Sequence, residues 1–362
     1  MLEEIDLYLT NQCNLLCDFC SIQARERMEE LSLDKIKEIV DEISELGAKE
    51  LHLTGGEPTI RNDLEEIVDY VIKKGLNTRL ITNGTLLSKE RLIGLNRLGL
   101  KSIMISLDGG ADYHNKIRGK DAFQKSEQTI KNAIELGMFV RVNSVAWRDN
   151  MEQIKKMPKI LDEWGVDVYS VFLGSPLGFA KAHKENVISP EVWHDFCNEL
   201  QKIAKESKVK LVVEKGYMFL EKEHFDATNF KGRGRGCGCI NEHEDFFLVR
   251  SNGAVYPCVF YSNEAPSLGN VNEKTFREIL DSFKRDSFYK EAGCIPQECV
   301  GCRNASICRG GCRGYAKLLS DRWNSKDPRC ASYDDAKYIP LCPIVKINMS
   351  DNVIGGSSEQ VL

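Results

Sequence analysis

Short apolar runs rich in Ile, Leu and Val recur at residues 5–10, 50–54, 77–82, 101–107, 138–145 and 167–173. Strands of a parallel sheet covered on both faces read this way, because neither face needs polar alternation. Between the runs lie stretches with helical spacing and their own start and stop residues. Ser32 precedes Ile36, Ile39, Val40, Ile43 and Leu46, and Gly47 closes the pattern; a serine N-cap and a terminal glycine satisfy backbone groups that helix ends leave open. Asn62, with Glu65 three residues on, reads as a capping box ahead of Ile67, Val68, Val71 and Gly75. Ser88 to Gly99, Ser126 to Gly137 and Asn150 to Gly165 repeat the device, with Pro158 expected to kink or interrupt the last. Ser189-Pro190 opens a sixth helix carrying Trp193, Phe196, Leu200 and Ile203.

Six strand–helix units in succession predict an α/β fold with a parallel sheet, either doubly wound or curled into a partial barrel. Both architectures put chemistry beyond the carboxyl ends of the strands. There the first strand runs into TNQCNLLCDFC, the second into Gly55-Gly56-Glu57-Pro58, the third into Asn83-Gly84, the fourth into Asp108-Gly109 and the sixth into Gly174-Ser175-Pro176. The unusual residues gather at one rim.

Charge and length narrow the classes. A net charge of -5 over 362 residues argues against bulk nucleic-acid binding. The first cysteine at residue 13 leaves no room for a signal peptide, and no window approaches the roughly 18 consecutive apolar residues of a membrane span. A cytoplasmic protein without membrane attachment is expected. Fourteen cysteines in such a compartment favour metal binding over disulfides. Three lie at 13, 17 and 20, ten between 237 and 342, and only Cys197 falls between, so two separate metal-binding regions are implied.

Each motif alone has a plainer reading. CxxxCxxC could hold zinc, with His52 or a distant cysteine as fourth ligand. Gly-Gly before Pro is a common turn, and Ser106-Leu-Asp-Gly109 could be a β-turn capped by Asp108. Independent turns have no reason, however, to fall on successive strand ends in this order. CNLLCDFC after the first strand, GGEP after the second, TNG after the third and SLDG after the fourth resemble the radical S-adenosylmethionine enzymes, over roughly residues 4–180. The resemblance implies a partial (β/α)6 barrel of TIM type. It also implies a [4Fe–4S] cluster on Cys13, Cys17 and Cys20, with one iron left for the amino and carboxylate groups of S-adenosylmethionine. Reductive cleavage would then give a 5′-deoxyadenosyl radical that takes hydrogen from a substrate. Gly55 and Gly56 would let backbone approach the methionine moiety, and Glu57 would meet its ammonium. Asn83, Ser106 and Arg118 are the candidates for the ribose and the methionine carboxylate.

The second half carries Cys237-Gly-Cys239, then Gly253 to Cys258, then CVGCRNASICRGGC with Cys299, Cys302, Cys308 and Cys312, then Cys330. CxxC pairs are usually zinc knuckles, but this count exceeds one zinc site. The pattern resembles the SPASM extension of the same superfamily. Carried over, Cys237, Cys239, Cys258 and Cys312 would bind one auxiliary [4Fe–4S] cluster, and Cys299, Cys302, Cys308 and Cys330 another. Cys237 and Cys239 are closer together than the matching pair in relatives. If only one of them ligates, that cluster has an open iron for substrate. Cys197, Cys294 and Cys342 are left over; Cys294 could replace a ligand, and a buried or free thiol is the plainer reading. Arg233 and Arg235 in FKGRGRGCGC form either a solvated loop or a recognition site for a carboxylate or phosphate.

The expected organisation is a barrel over 1–215, a small cysteine-rich iron–sulfur SPASM domain over 216–345 and a flexible tail over 346–362. The resemblance implies an oxidoreductase-type maturase acting on a peptide or protein. With Cys13 so early, no peptide-clasping domain is expected before it, so a separate leader-binding protein would be needed. A low-potential flavodoxin or ferredoxin would supply electrons. Val259 stands where sulfatase-maturing relatives carry an aspartate base, which disfavours that reaction. The alternatives are a maturase of a small molecule or cofactor precursor, such as a tetrapyrrole, a sugar or a tungsten cofactor, and a non-catalytic zinc scaffold.

Overall fold

The computed structural model describes residues 2–22, 28–214, 217–219, 246–283, 285–302, 305, 309–330, 338–340 and 346–348. Strands β1 (Glu4–Thr10), β2 (Glu50–Gly55), β3 (Asn77–Thr82), β4 (Ser102–Ser106), β5 (Phe139–Ala146), β6 (Val168–Leu173) and β7 (Lys210–Glu214) are each parallel to the next. Helices α1 (Leu33–Glu45), α2 (Leu64–Lys73), α3 (Lys89–Arg97), α4 (Ala111–Arg118), α5 (Ala122–Glu135), α6 (Met151–Trp164) and α7 (Pro190–Ala204) make the crossovers. This is the expected α/β architecture, a partial barrel with a seventh strand added. Among the described residues no helix is long and apolar enough to cross a membrane.

The helices form where the spacing puts them. Ser32 accepts the Lys35 N–H at 3.2 Å, and α1 buries Ile36, Ile39, Val40 and Ile43, one face of a 3.6-residue repeat. Three expectations are corrected. Helix α2 starts after Asp63 rather than Asn62 and has no side-chain cap, because Arg61 binds both Asp63 oxygens, at 2.8 and 2.7 Å. Helix α5 starts four residues before Ser126, whose Oγ donates to Asn83 O at 2.7 Å and so ties the helix to the loop after β3. Pro158 lies inside α6, which continues through it.

The sheet does not stop at residue 215. Strands β8 (Tyr217–Phe219), β9 (Phe246–Val249), β10 (Ala254–Tyr256) and β11 (Gly269–Asn270) follow. Glu4 to Leu7 pair in parallel with Phe246 to Val249, so β9 extends the same sheet beyond β1, with β10 and β11 antiparallel outside it. Helices α8 (Phe276–Phe283), α9 (Ser287–Gly293) and α10 (Arg313–Ser320) come next. Two strands follow: β12 (Tyr338–Pro340) pairs with β8, and β13 (Lys346–Asn348) pairs antiparallel with β7. The stretch expected as a tail therefore begins inside the sheet, while 349–362 lies outside the described residues. The full order is β11-β10-β9-β1-β2-β3-β4-β5-β6-β7-β13.

Polar side chains join four strands at one level of the sheet: His52 Nδ1 lies 3.0 Å from Asp6, Arg79 Nη1 3.2 Å from His52 Nε2, and Arg79 Nε 3.2 Å from Ser102 Oγ. Burial alone would push His52 down. Asp6, Glu50 and Glu4, three carboxylates against one guanidinium, outweigh it and raise the imidazole to about 9. A raised folded-state value stabilises fully below the ordinary histidine value of 6.5 and is lost as pH rises through about 9. The urea midpoint is expected to fall across that window, and His52→Gln to flatten the dependence; equal slopes in both proteins would exclude His52 as the cause.

Candidate active site at the strand ends

Strand β1 leads straight into the first cysteine loop. Thr10 Oγ accepts the Gln12 N–H at 2.9 Å and donates to Glu30 at 2.5 Å, turning the chain outward. The loop after β2 lies flat on it: Gly56 N donates to Thr10 O and Glu57 N to Gln12 O, both at 2.8 Å. A Cβ on Gly55, whose φ is +135°, would meet Thr10 O at 2.4 Å, and one on Gly56 would meet Gln12 O at 2.1 Å. The two glycines are required by this chain's own backbone contact, before any ligand is considered. Glu57 is fully buried, and its oxygens accept from Thr59 N (3.1 Å) and Oγ1 (2.5 Å), Thr82 Oγ1 (2.7 Å) and Asn83 N (2.7 Å). Burial raises its carboxyl and these four donors oppose the rise. Rather than standing free as an anion, Glu57 binds the β2 and β3 loops together.

Cys13, Cys17 and Cys20 are half-buried and outside any disulfide. Burial pushes the Cys13 thiol up to about 11; Cys17 is also raised by burial, with Arg118 opposing. Ligation by thiolate would therefore release protons on metal binding. Among the described residues, the one trio of ligand-type side chains with donor atoms all within 4.8 Å is Glu4, Asp6 and His52, down the barrel from the loop. A single zinc gathers its thiolates to roughly 3.8 Å of one another. The sulfur atoms of Cys13, Cys17 and Cys20 do not all lie that close together, and His52 is committed elsewhere.

The other rim candidates converge on this loop. Asn83 Nδ2 is 3.8 Å from Cys13 Sγ and donates to Asn14 Oδ1 at 2.9 Å. Arg118, at the end of α4, donates through Nε to Asp108 at 2.6 Å and lies over the Phe19 ring at 5.5 Å. Asp108 is fully buried and also accepts the Val145 N–H at 2.9 Å, so it is an ion-pair partner rather than a turn cap. His114 accepts the Asp108 N–H through Nδ1 at 3.1 Å, and burial holds it down to about 4, uncharged beside Arg118. Arg118→Leu, which strands the Asp108 carboxylate, is expected to destabilise the fold by about 3–5 kcal/mol, read as a lower urea midpoint without added ligand; an unchanged midpoint would show that the pair is not structural.

Ser106 ends β4, half-buried, and pairs with Asn143, which pairs in turn with Ser170. Asn143 Oδ1 and Ser170 Oγ are buried without hydrogen-bond partners among the described residues. Asn143 and Ser170 carry no local sequence signal; only strand register brings them into line with Ser106. Buried orphan atoms in such a row fit a polar ligand that completes them.

On the facing side, Tyr8 lies within electrostatic reach of both Cys20 and Cys258. Its ring packs with Ile22 and Leu248, and Cys13, Tyr256 and Val259 join that apolar cluster. Burial raises the Cys299 thiol, Cys330 and Cys302 add to the rise, and Arg313 opposes it, so these three cysteines are neighbours. Cys312 donates its N–H to Asp327 at 2.7 Å. Cys294 is exposed at the end of α9, its thiol donating to Lys290 O at 3.3 Å, and Cys197 is buried in the main core. Cys237, Cys239, Cys308, Cys342, Arg233 and Arg235 lie outside the described residues.

A model of the radical SAM superfamily matches residues 7–182, and one of the SPASM iron–sulfur cluster-binding domain matches 237–304. An AdoMet-dependent heme synthase of Methanosarcina barkeri is 28% identical over 341 residues, covering 89% of this chain and 94% of that protein. A PqqA peptide cyclase of Bradyrhizobium diazoefficiens is 28% identical over 336 residues, covering 90% and 85%. Among solved structures, Streptococcus suis SuiB bound to S-adenosylmethionine superposes with a TM-score of 0.73 at 20% identity, over 92% of this chain and 78% of that one. The anSMEcpe structure with bound AdoMet gives 0.70 at 21%, over 92% and 95%. These two likenesses show a shared fold. Because the first match covers the units whose strand ends form the cysteine rim and the second covers the cysteine-rich segment facing it, the chain belongs to the radical SAM superfamily, as an enzyme with a SPASM iron–sulfur extension.

Proposed function

We propose that the enzyme modifies a peptide or protein substrate by hydrogen abstraction. In this reading Cys13, Cys17 and Cys20 hold the radical cluster. Cys258 and Cys312, with Cys237 and Cys239, hold one auxiliary cluster, and Cys299, Cys302, Cys308 and Cys330 hold the second. Gly55, Gly56, Glu57, Asn83, Ser106 and Arg118 form the S-adenosylmethionine wall. When bound, the radical cluster supplies the electron that cleaves S-adenosylmethionine and so generates the hydrogen-abstracting species. The chain's own residues position these groups. Asp108 takes Arg118 Nε, which leaves the Nη edge to face a carboxylate. Asn83, anchored on Asn14, borders Cys13. Tyr8, Leu248 and Val259 make an apolar wall between the two cysteine sets that limits water near a reactive radical.

The observation that carries the substrate class is the open sheet. Among the described residues its edge strands, β11 and β13, are not paired to each other, and a sheet left unclosed in this way suits a substrate longer than a closed barrel mouth would admit. The peptide cyclase relatives support this reading. The heme synthase relatives, equally similar, support a second one, a tetrapyrrole precursor in the same opening. Anaerobically reconstituted enzyme with each substrate class separates the two: the true class stimulates 5′-deoxyadenosine formation and gives a product of changed mass. Stimulation by a tetrapyrrole alone would overturn the peptide reading. A separate leader-binding protein and a flavodoxin or ferredoxin donor belong to the same proposal.

A further inference from the structure

In the cysteine-rich segment Arg313 is fully buried, and among the described residues no carboxylate pairs with it. Arg313 opens α10, and its guanidinium donates to backbone carbonyls alone: Nη1 to Gly310 O at 3.3 Å and Ser325 O at 3.1 Å, Nη2 to Cys294 O at 3.0 Å and to Arg309 O. Its Nε is buried with no hydrogen-bond partner among the described residues. The second buried guanidinium nearby is different. Arg329 reaches Asp327 at 3.0 and 2.7 Å and stacks on the Tyr315 ring at 3.6 Å, so that pair is neutral overall. Arginine does not shed its proton in proteins, and an ion taken out of water without an opposite charge costs several kcal/mol. An anionic group beside Arg313 would offset that cost. Its acceptor Gly310 O also takes the Asp327 N–H at 2.9 Å, Asp327 O takes the Cys330 N–H at 2.9 Å, and its acceptor Cys294 O lies on the stretch leading to Cys299, so the guanidinium sits among the segments that carry Cys299 and Cys330, with Cys299 within its electrostatic reach.

We propose that Arg313 is the internal counter-cation of the second auxiliary cluster, offsetting the negative charge of the thiolate-bound iron–sulfur group and holding its reduction potential up. The inference rests on the ligand set proposed above. A thiolate-ligated cluster becomes more negative on reduction, so a fixed cation beside it favours the reduced state, and the effect is strong where solvent is excluded. Having no acceptor among the described residues, the Nε–H would be a donor toward the cluster when it is bound. Arg313 acts through the cluster and is a positioning and tuning residue.

The test uses the full chain, reconstituted anaerobically, as wild type, Arg313→Lys, Arg313→Gln and Cys302→Ala. Iron per chain and the midpoint potential of each electron-paramagnetic-resonance signal are measured, and Cys302→Ala identifies the signal of the second auxiliary cluster. In Arg313→Gln that signal should shift to a more negative potential while the others stay, and Arg313→Lys should remain near wild type. Loss of iron in the Gln variant with retention in the Lys variant leads to the same conclusion, since charge is what the two differ in. Lys and Gln behaving alike, in potential or in iron content, overturns the proposal. If Cys302→Ala loses neither iron nor a signal, the ligand assignment itself has failed, and the role of Arg313 falls with it.

Discussion

Replacing Cys13, Cys17 and Cys20 together by alanine is expected to abolish cleavage of S-adenosylmethionine while the auxiliary iron stays bound. With the three clusters proposed above, total iron should fall by about one third, the share of one four-iron cluster. The separation follows from the chain's layout. The three thiols sit on the loop that leaves β1, fixed by Thr10 and by the Gly55–Glu57 loop. Cys299, Cys302 and Cys330 are held far along the chain by contacts among residues 294–330. Retained formation of 5′-deoxyadenosine by the triple variant would sink the assignment. A complete loss of iron would show that the two regions fold on metal as one unit.

Gly56→Ala is expected to lower S-adenosylmethionine cleavage on the order of 100-fold, the scale of a misplacement near 1 Å at a reacting centre. The added Cβ would lie 2.1 Å from Gln12 O, a backbone atom that cannot swing aside. The cysteine loop would have to move with it, one residue before Cys13. Gly94→Ala is the matched control, because a Cβ there meets nothing within 4 Å and the site lies inside α3. That change should stabilise by roughly 0.5–1 kcal/mol and leave cleavage intact. Wild-type turnover by Gly56→Ala would show that the rim tolerates displacement of the two loops.

The barrel was legible because local signals and tertiary position agree in it. Five of the six β-runs end in a motif at the rim, and Ser32, Ser88 and Ser189 cap helices that follow them. Legibility failed where a residue's role depends on a partner distant in sequence. Asp108 looks like a turn residue until α4 brings Arg118 against it. Ser126 looks like a helix start, yet it is an interior residue bonded to the β3 loop. Asn143 and Ser170 join the polar row only through strand register. Strands β9 to β11, two to four residues long, are too short for periodicity to reveal, and they join β1 across more than half the chain. The motif suggests ligand access as the reason for Gly55 and Gly56, whereas the contact with residues 10–12 already demands them.

Direct transfer of substrate hydrogen is the central claim, and isotope tracing reaches it in one step. Anaerobically reconstituted enzyme is incubated with S-adenosylmethionine, a low-potential reductant and deuterated candidate peptides, and the 5′-deoxyadenosine is analysed by mass spectrometry. Deuterium in that nucleoside, together with a peptide of changed mass, is the expected result. Undeuterated 5′-deoxyadenosine with every peptide, and deuterium transfer from a labelled tetrapyrrole instead, would contradict it.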